Sequence, residues 1–232
     1  MTRSPTSIGY ALHLAKRVAY VLLGAVGLYV AGCTLALIAY TTVMPPITGV
    51  QLQRAVEAQF ITDSYTRVYH PVSVGEISPH VPRAVVAAED GRFFTHGGID
   101  WEAIQEARAE HDQGRRLRGG STITQQLVKN LFMTTHRSYL RKAMEVPLTY
   151  LAELILSKER ILHLYVNVVE WGPGIYGVSA ASDHHFAVSA DALTRRQAAG
   201  LAACLPAPRS RTPQVMYRYT TIIEQRMTQH GW

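Results

Sequence analysis

Glu89 closes the apolar run 84–88 and stands just ahead of Phe93 and Phe94. A carboxylate beside aromatic rings loses hydration, and desolvation raises its pKa. Such a group suits proton transfer near neutral pH. The plainer alternative is a carboxylate that ends a helix and faces water. His96 follows, with Gly97 and Gly98 after it. No second His or Cys stands at metal-ligand spacing nearby, so a loop role is expected of it.

A second segment, RLRGGSTITQQLVKN, runs from Arg116 to Asn130. Gly119 and Gly120 permit a tight turn, and Ser121 or Thr122 can cap the helix that follows. Thr122 and Gln125 have the spacing of a capping box. Free N–H groups at a helix start attract anions, and Arg116, Arg118 and Lys129 flank this one. The Gly-Lys-Ser/Thr order of a phosphate-binding Walker loop is absent. The run Ser-Thr-Ile-Thr-Gln-Gln is more polar than a helix needs for its own stability. A third segment places Arg137, Arg141 and Glu145 four residues apart, on one helical face. That pattern is either an exposed ion-pair ladder or a phosphate-binding face with one embedded carboxylate. Pro147 follows Glu145 closely, and a helix-interior proline is expected to kink the helix or start a new one.

Positioning these groups falls to helices. Helical periodicity covers 84–89, 100–111 with Asp100 as its N-cap, 122–133, 139–157, 158–169, 193–205 and 213–230. The proline-rich stretch 70–82 reads as an irregular approach. Alternating strand patterns are scarce, so the fold class is mainly α. The apolar content of 47% excludes a disordered chain, and two cysteines exclude a disulfide scaffold.

The formal charge is +6, but residues 1–43 hold no acid and carry Arg3, Lys16 and Arg17. The rest is nearly neutral, which argues against a nucleic-acid partner. No charge occurs from Val18 to Gln53. Val18 to Tyr40 as a helix would be roughly 35 Å long, enough for a bilayer core of about 30 Å. The expected organisation is therefore a cytoplasmic N-terminus over 1–17, a transmembrane anchor over 18–43 and one domain over 44–232. Basic residues before the span keep the N-terminus in the cytoplasm. A cleaved signal peptide and a lipoprotein box at Val30-Ala31-Gly32-Cys33 are the competing readings.

In register, these segments resemble the peptidoglycan glycosyltransferase family, in particular its monofunctional, membrane-anchored biosynthetic members. The family patterns stand here as Glu89-Asp90 with Phe93, His96 and Gly98, as Gly119 to Asn130, as Arg141-Lys142 with Glu145, and as Lys158 with Ile161-Leu162, Tyr165 and Asn167. The tail GIYGVSAASDHHF and LAACLPAP is similar too. Met144, His185, Gln197 and Pro147 depart from the usual residues.

The resemblance implies a lysozyme-like, two-lobed domain beside the inner membrane, on its periplasmic face. It implies lipid II as substrate, β-1,4-linked glycan as product and undecaprenyl pyrophosphate as leaving group. Glu89 is then the general base. Glu145 is the second carboxylate, assisting the departing pyrophosphate. Lys129, Arg137 and Arg141 bind phosphate, and Ser121, Thr122 and Gln125 line the cleft. The family leaves room for a divalent ion, Mg2+ or Mn2+, near Glu145 without requiring a cofactor. Growing glycan, the membrane and proteins of the cell-wall synthesis complex are the implied partners. Because the chain stops at Trp232, no transpeptidase domain is expected. The rival readings are a non-catalytic cell-wall scaffold and a lytic, lysozyme-like hydrolase.

Overall fold

The computed structural model describes residues 7–60, 65–113, 120–136 and 138–232. Ten α-helices dominate the described residues, with one small sheet. The longest, α1 (Ser7–Ala39), contains the apolar stretch His13–Ala39, whose mean hydropathy of 2.3 and length suffice to cross a membrane. The helix ends at Ala39, short of residue 43, because the chain turns there. Thr41 and Thr42 donate their hydroxyls to the carbonyls of Ile38 and Ala39, and Pro45-Pro46 follow.

A short helix, α2 (Gly49–Ala58), comes next. Sequence periodicity does not predict it, yet Thr48 and Gln51 close a complete capping box at its start. Helices α3 (His80–Glu89), α4 (Trp101–Asp112), α5 (Ile123–Phe132), α6 (Tyr139–Ile155) and α7 (Lys158–Val168) fall where helical periodicity predicts them. Asp100 caps α4 by accepting from Ala103 N–H at 2.8 Å. The approach before α3 is mostly irregular, with one 3-10 turn at Val74–Glu76.

Pro147 lies inside α6, which runs through it as a single helix. A new helix therefore does not begin there. The Thr149 hydroxyl donates to the Glu145 carbonyl at 2.7 Å within that turn.

Strands β1 (Val68–Tyr69), β2 (Glu170–Gly172) and β3 (Ile175–Tyr176) form a sheet in the order β1-β3-β2. β1 is parallel to β3, and β2 is antiparallel to it. Gly174 turns the β2–β3 hairpin with φ +76°, and a Cβ there would collide with the Thr66 carbonyl. The last helices are α8 (Val178–Phe186), α9 (Arg195–Cys204) and α10 (Tyr217–Gln229).

Two packed groups of helices place the chemistry. α5 lies against α7, α6 and α2, while α3 lies against α9 and α10. Burying Ile123, Leu127 and Leu131 on one side of α5 turns its Gln126–Lys129 side toward a cleft. α6 also packs on α1, and Leu37 of α1 is fully buried in the same core.

Candidate active site

Glu89 is the last residue of α3 and lines a cleft of about 590 Å³ with Ser121, Thr122 and Gln126. Gln126 Nε2 donates to Glu89 Oε2 at 2.7 Å. Tyr165 of α7, fully buried, donates its hydroxyl to Gln126 Oε1 at 2.8 Å. Burial pushes the Glu89 carboxyl above its usual range, and the Gln126 hydrogen bond and the Lys129 charge oppose this only in part.

Asp90, beside Glu89, works differently. It is buried, accepts from the backbone N–H of Ile123 at 3.0 Å, and pairs with His96 Nε2 at 3.0 Å. His96 Nδ1 accepts from Gly98 N–H, so the ring proton sits on Nε2 and points at Asp90. Asp90 thus pins the start of α5, and through it Gln126, to the end of α3. Asp90, His96 and Asp100 bring three ligand atoms within 4.8 Å of one another. Those atoms are already used: His96 on Asp90, and Asp100 on the Arg92 guanidinium at 2.9 Å.

The second segment divides. Thr122 and Gln125 form the predicted capping box, with Thr122 Oγ1 accepting from Gln125 N–H and Gln125 Oε1 accepting from Thr122 N–H. Both are buried, and the Thr122 hydroxyl also donates to the Gly98 carbonyl. Gln125 is thereby spent on the helix start, and its neighbour Gln126 faces Glu89. Ser121 is exposed at the cleft rim.

Lys129 stands one turn beyond Gln126 and lines an adjoining pocket of about 310 Å³ with Arg54 and Arg209. The two hollows meet at Gln126 and Pro206. Burial pulls the Lys129 ammonium below its usual pKa; Glu145 and Glu89 act in the opposite sense. Among the described residues no acceptor forms a hydrogen bond or ion pair with it.

Glu145 is buried on α6. Arg141 Nη1 reaches its Oε2 at 2.8 Å, and Lys142 Nζ reaches its Oε1 at 2.5 Å. Arg141 also donates Nε–H to the His136 carbonyl. Both Glu145 oxygens therefore serve cations. A carboxylate so occupied, beside Lys129 as well, does not fit Mg2+ or Mn2+, whose sites are built from free oxygens. Arg137, Arg116 and Arg118 lie outside the described residues. Gln126, Lys142 and Tyr165 are the members of this arrangement to which sequence reasoning gave no role. The helical spacing 126/129 and 142/145 is the signal that could have singled out the first two.

Chemically, the site holds a half-buried carboxylate of raised pKa and, across the shared wall, an unpaired ammonium next to a cation pair. The first can take a proton from a hydroxyl, and the second can stabilise an oxyanion as negative charge develops.

A family model described as Transglycosylase matches residues 56–229. Curated relatives named biosynthetic peptidoglycan transglycosylase are similar over most of the chain. The protein from Caulobacter vibrioides is 44% identical over 179 residues, covering 77% of this chain and 76% of its own. That from Brucella suis is 46% identical over 164 residues, covering 69% and 73%. That from Pseudomonas syringae pv. syringae is 42% identical over 209 residues, covering 88% of each.

Proposed function

The chain belongs to the transglycosylase family, and on that premise we propose that it is a peptidoglycan glycosyltransferase. It polymerises lipid II into β-1,4-linked glycan and releases undecaprenyl pyrophosphate. The observation that carries this reading is the unpaired Lys129 ammonium in the hollow that adjoins, at Gln126, the cleft of the perturbed Glu89 carboxyl. Glycan cleavage needs a carboxyl but no buried cation site, whereas departure of a pyrophosphate needs both.

Glu89 takes the proton from the 4-hydroxyl of the acceptor sugar as that oxygen attacks the donor's anomeric carbon. The bond from that carbon to the pyrophosphate oxygen breaks, and the charge passes to the diphosphate. Inversion asks for a base on the face opposite the leaving group. Glu89 and Lys129 line separate hollows that meet at Gln126. Lys129 neutralises the emerging charge, with Arg141 and Lys142 held beside it by Glu145. Glu145 in this reading acts by holding two cations in place. Arg137, on the same helical spacing as Arg141, is assigned to the same phosphate-binding face from its sequence position alone.

The anchor fits a lipid-linked substrate. α6, which carries the cation pair, packs directly on α1. We place the protein in the inner membrane with its N-terminus in the cytoplasm and its domain in the periplasm.

The test is polymerisation of labelled lipid II by the detergent-solubilised full chain, with Glu89→Gln alongside. Long glycan is expected from the wild type, with a loss on the order of 10²–10⁴-fold in the variant. Breakdown of preformed glycan without synthesis would replace this reading by a hydrolase.

A further inference from the structure

We propose that Tyr165 is a positioning residue for Glu89, acting through Gln126, whose amide it locks with the donor end toward the carboxylate. This takes Glu89 as the base of the reaction above. A carboxamide has a donor end and an acceptor end of nearly the same shape. Which end faces Glu89 decides which protonation state is favoured.

Tyr165 is fully buried, and its hydroxyl donates to Gln126 Oε1 at 2.8 Å. Among the described residues no other acceptor takes that proton. Gln126 therefore turns its NH2 to Glu89 Oε2, at 2.7 Å. An NH2 group can only donate; a protonated Glu89 could still accept on its carbonyl oxygen, but the bond to a carboxylate is stronger, so the ionised form is favoured. The reversed amide would present its carbonyl, which a protonated Glu89 could meet. Reversal would also turn NH2 onto the phenol oxygen and leave the tyrosine O–H without an acceptor in a dry interior, where an unpaired donor is costly. The buried phenol thus disfavours the reversed amide and, against the effect of burial, shifts Glu89 toward the carboxylate.

Other groups bear on Glu89 without orienting the amide. Lys129 from α5 and Arg211 from the segment after α9 favour ionisation, and Asp90 opposes it. Tyr219, Arg226 and His230, from α10 and its end, line the same cleft.

The experiment is a titration of Glu89 by carbon-13 NMR in full-length, detergent-solubilised protein labelled at glutamate carboxyls. The Glu89 signal is the one missing from Glu89→Gln. In Tyr165→Phe the midpoint is expected to rise by about one pH unit, a tenfold change in the ionisation ratio. The acidic limb of the polymerisation profile should move with it. Activity should return toward the wild-type level at pH values above that limb. An unchanged midpoint, or an equal loss at every pH, would overturn the proposal and leave Tyr165 a packing residue. Should Tyr165→Phe fail to fold, 3-fluorotyrosine placed at position 165 keeps the ring and strengthens the donor. It should lower the midpoint, and no change would again overturn the idea. The titration reads Glu89 without turnover. A wild type that titrates as expected but makes no glycan would therefore sink the base assignment and not the positioning role.

Discussion

Glu89 and Lys129 each hold a charge where burial opposes it, so function and stability pull apart at both residues. The Glu89 carboxyl is raised above its ordinary 4.5, chiefly by desolvation. The folded state therefore binds the proton more tightly than the unfolded chain does, and folding stability falls as pH rises from 4.5 through the folded pKa. Glu89→Gln removes that titration and keeps an acceptor for Gln126. The variant should melt above the wild type at pH 7, and the gap should close below pH 4.5. Calorimetry at pH 4 and pH 7 checks it, and a gap that widens toward acid would show the sign to be wrong. Lys129 is lowered by desolvation, so its ammonium also opposes folding at neutral pH. Lys129→Met should fold at least as well as the wild type yet lose on the order of 10²–10³ in polymerisation rate, as when one donor to a developing oxyanion is removed. Ordinary activity in that variant, measured on the same lipid II substrate, would remove the ammonium from the mechanism.

At the scale of the element, helix α5 carries the site because its start is fixed twice. Thr122 caps it from inside, and Asp90 accepts its first N–H from outside. Thr122→Val loses the cap, about 1 kcal/mol, and the buried hydroxyl bond to Gly98, about another 1 kcal/mol. An unfolding free energy lowered by roughly 2 kcal/mol in total is expected from urea titration, with weaker glycan synthesis because Gln126 rides on the same turn. Capping chemistry is local, and this explains what could be read in advance. The caps at Asp100 and Thr122 stand where their spacing predicts. α2 carries the same Thr-x-x-Gln signature at Thr48 and Gln51, but its polar face, with Gln53 and Arg54, hides the apolar stripe. α8 has Gly177 as its N-cap, at φ 81° and without a side-chain cap, so no residue type announces it. What stayed illegible depended on tertiary neighbours. Gln125 and Gln126 are the same residue type one position apart. Only the packing of α7, which brings Tyr165 in, decides which of them meets Glu89. At Pro147 one of the two expectations drops out for the opposite reason: local propensity penalises a proline there, yet no new helix begins and α6 continues through it.

For the whole molecule, α1, long and apolar enough to cross a membrane, is also part of the catalytic domain's core, which makes the junction a mechanical element. Cys33 and Leu37 of α1 are buried among domain side chains, and the Tyr29 hydroxyl donates to the Phe132 carbonyl at the end of α5. Arg160 of α7 ties the turn after α1. Its Nε donates to the Tyr40 carbonyl at 2.7 Å, its Nη2 to the Val43 carbonyl at 2.6 Å, and its Nη1 to His163 Nδ1 at 3.0 Å. His163 in turn donates Nε2–H to the Val72 carbonyl, joining the same knot to the approach before α3. One planar guanidinium serves three acceptors in different directions, a geometry that an ammonium on a flexible stem does not reproduce. Arg160→Ala should cost roughly 1–3 kcal/mol of local stability and open the turn. Proteinase K cleavage between Ala39 and Thr48 should then rise in protein reconstituted in lipid vesicles. Arg160→Lys should restore little of the protection, although it restores the charge. Glycan synthesis from lipid II in the same vesicles should fall in both variants, because α6 and its cation pair take their position from α1. Full protection in Arg160→Lys would mean that charge alone holds the junction, and unchanged cleavage in Arg160→Ala would mean that the buried Leu37 face suffices.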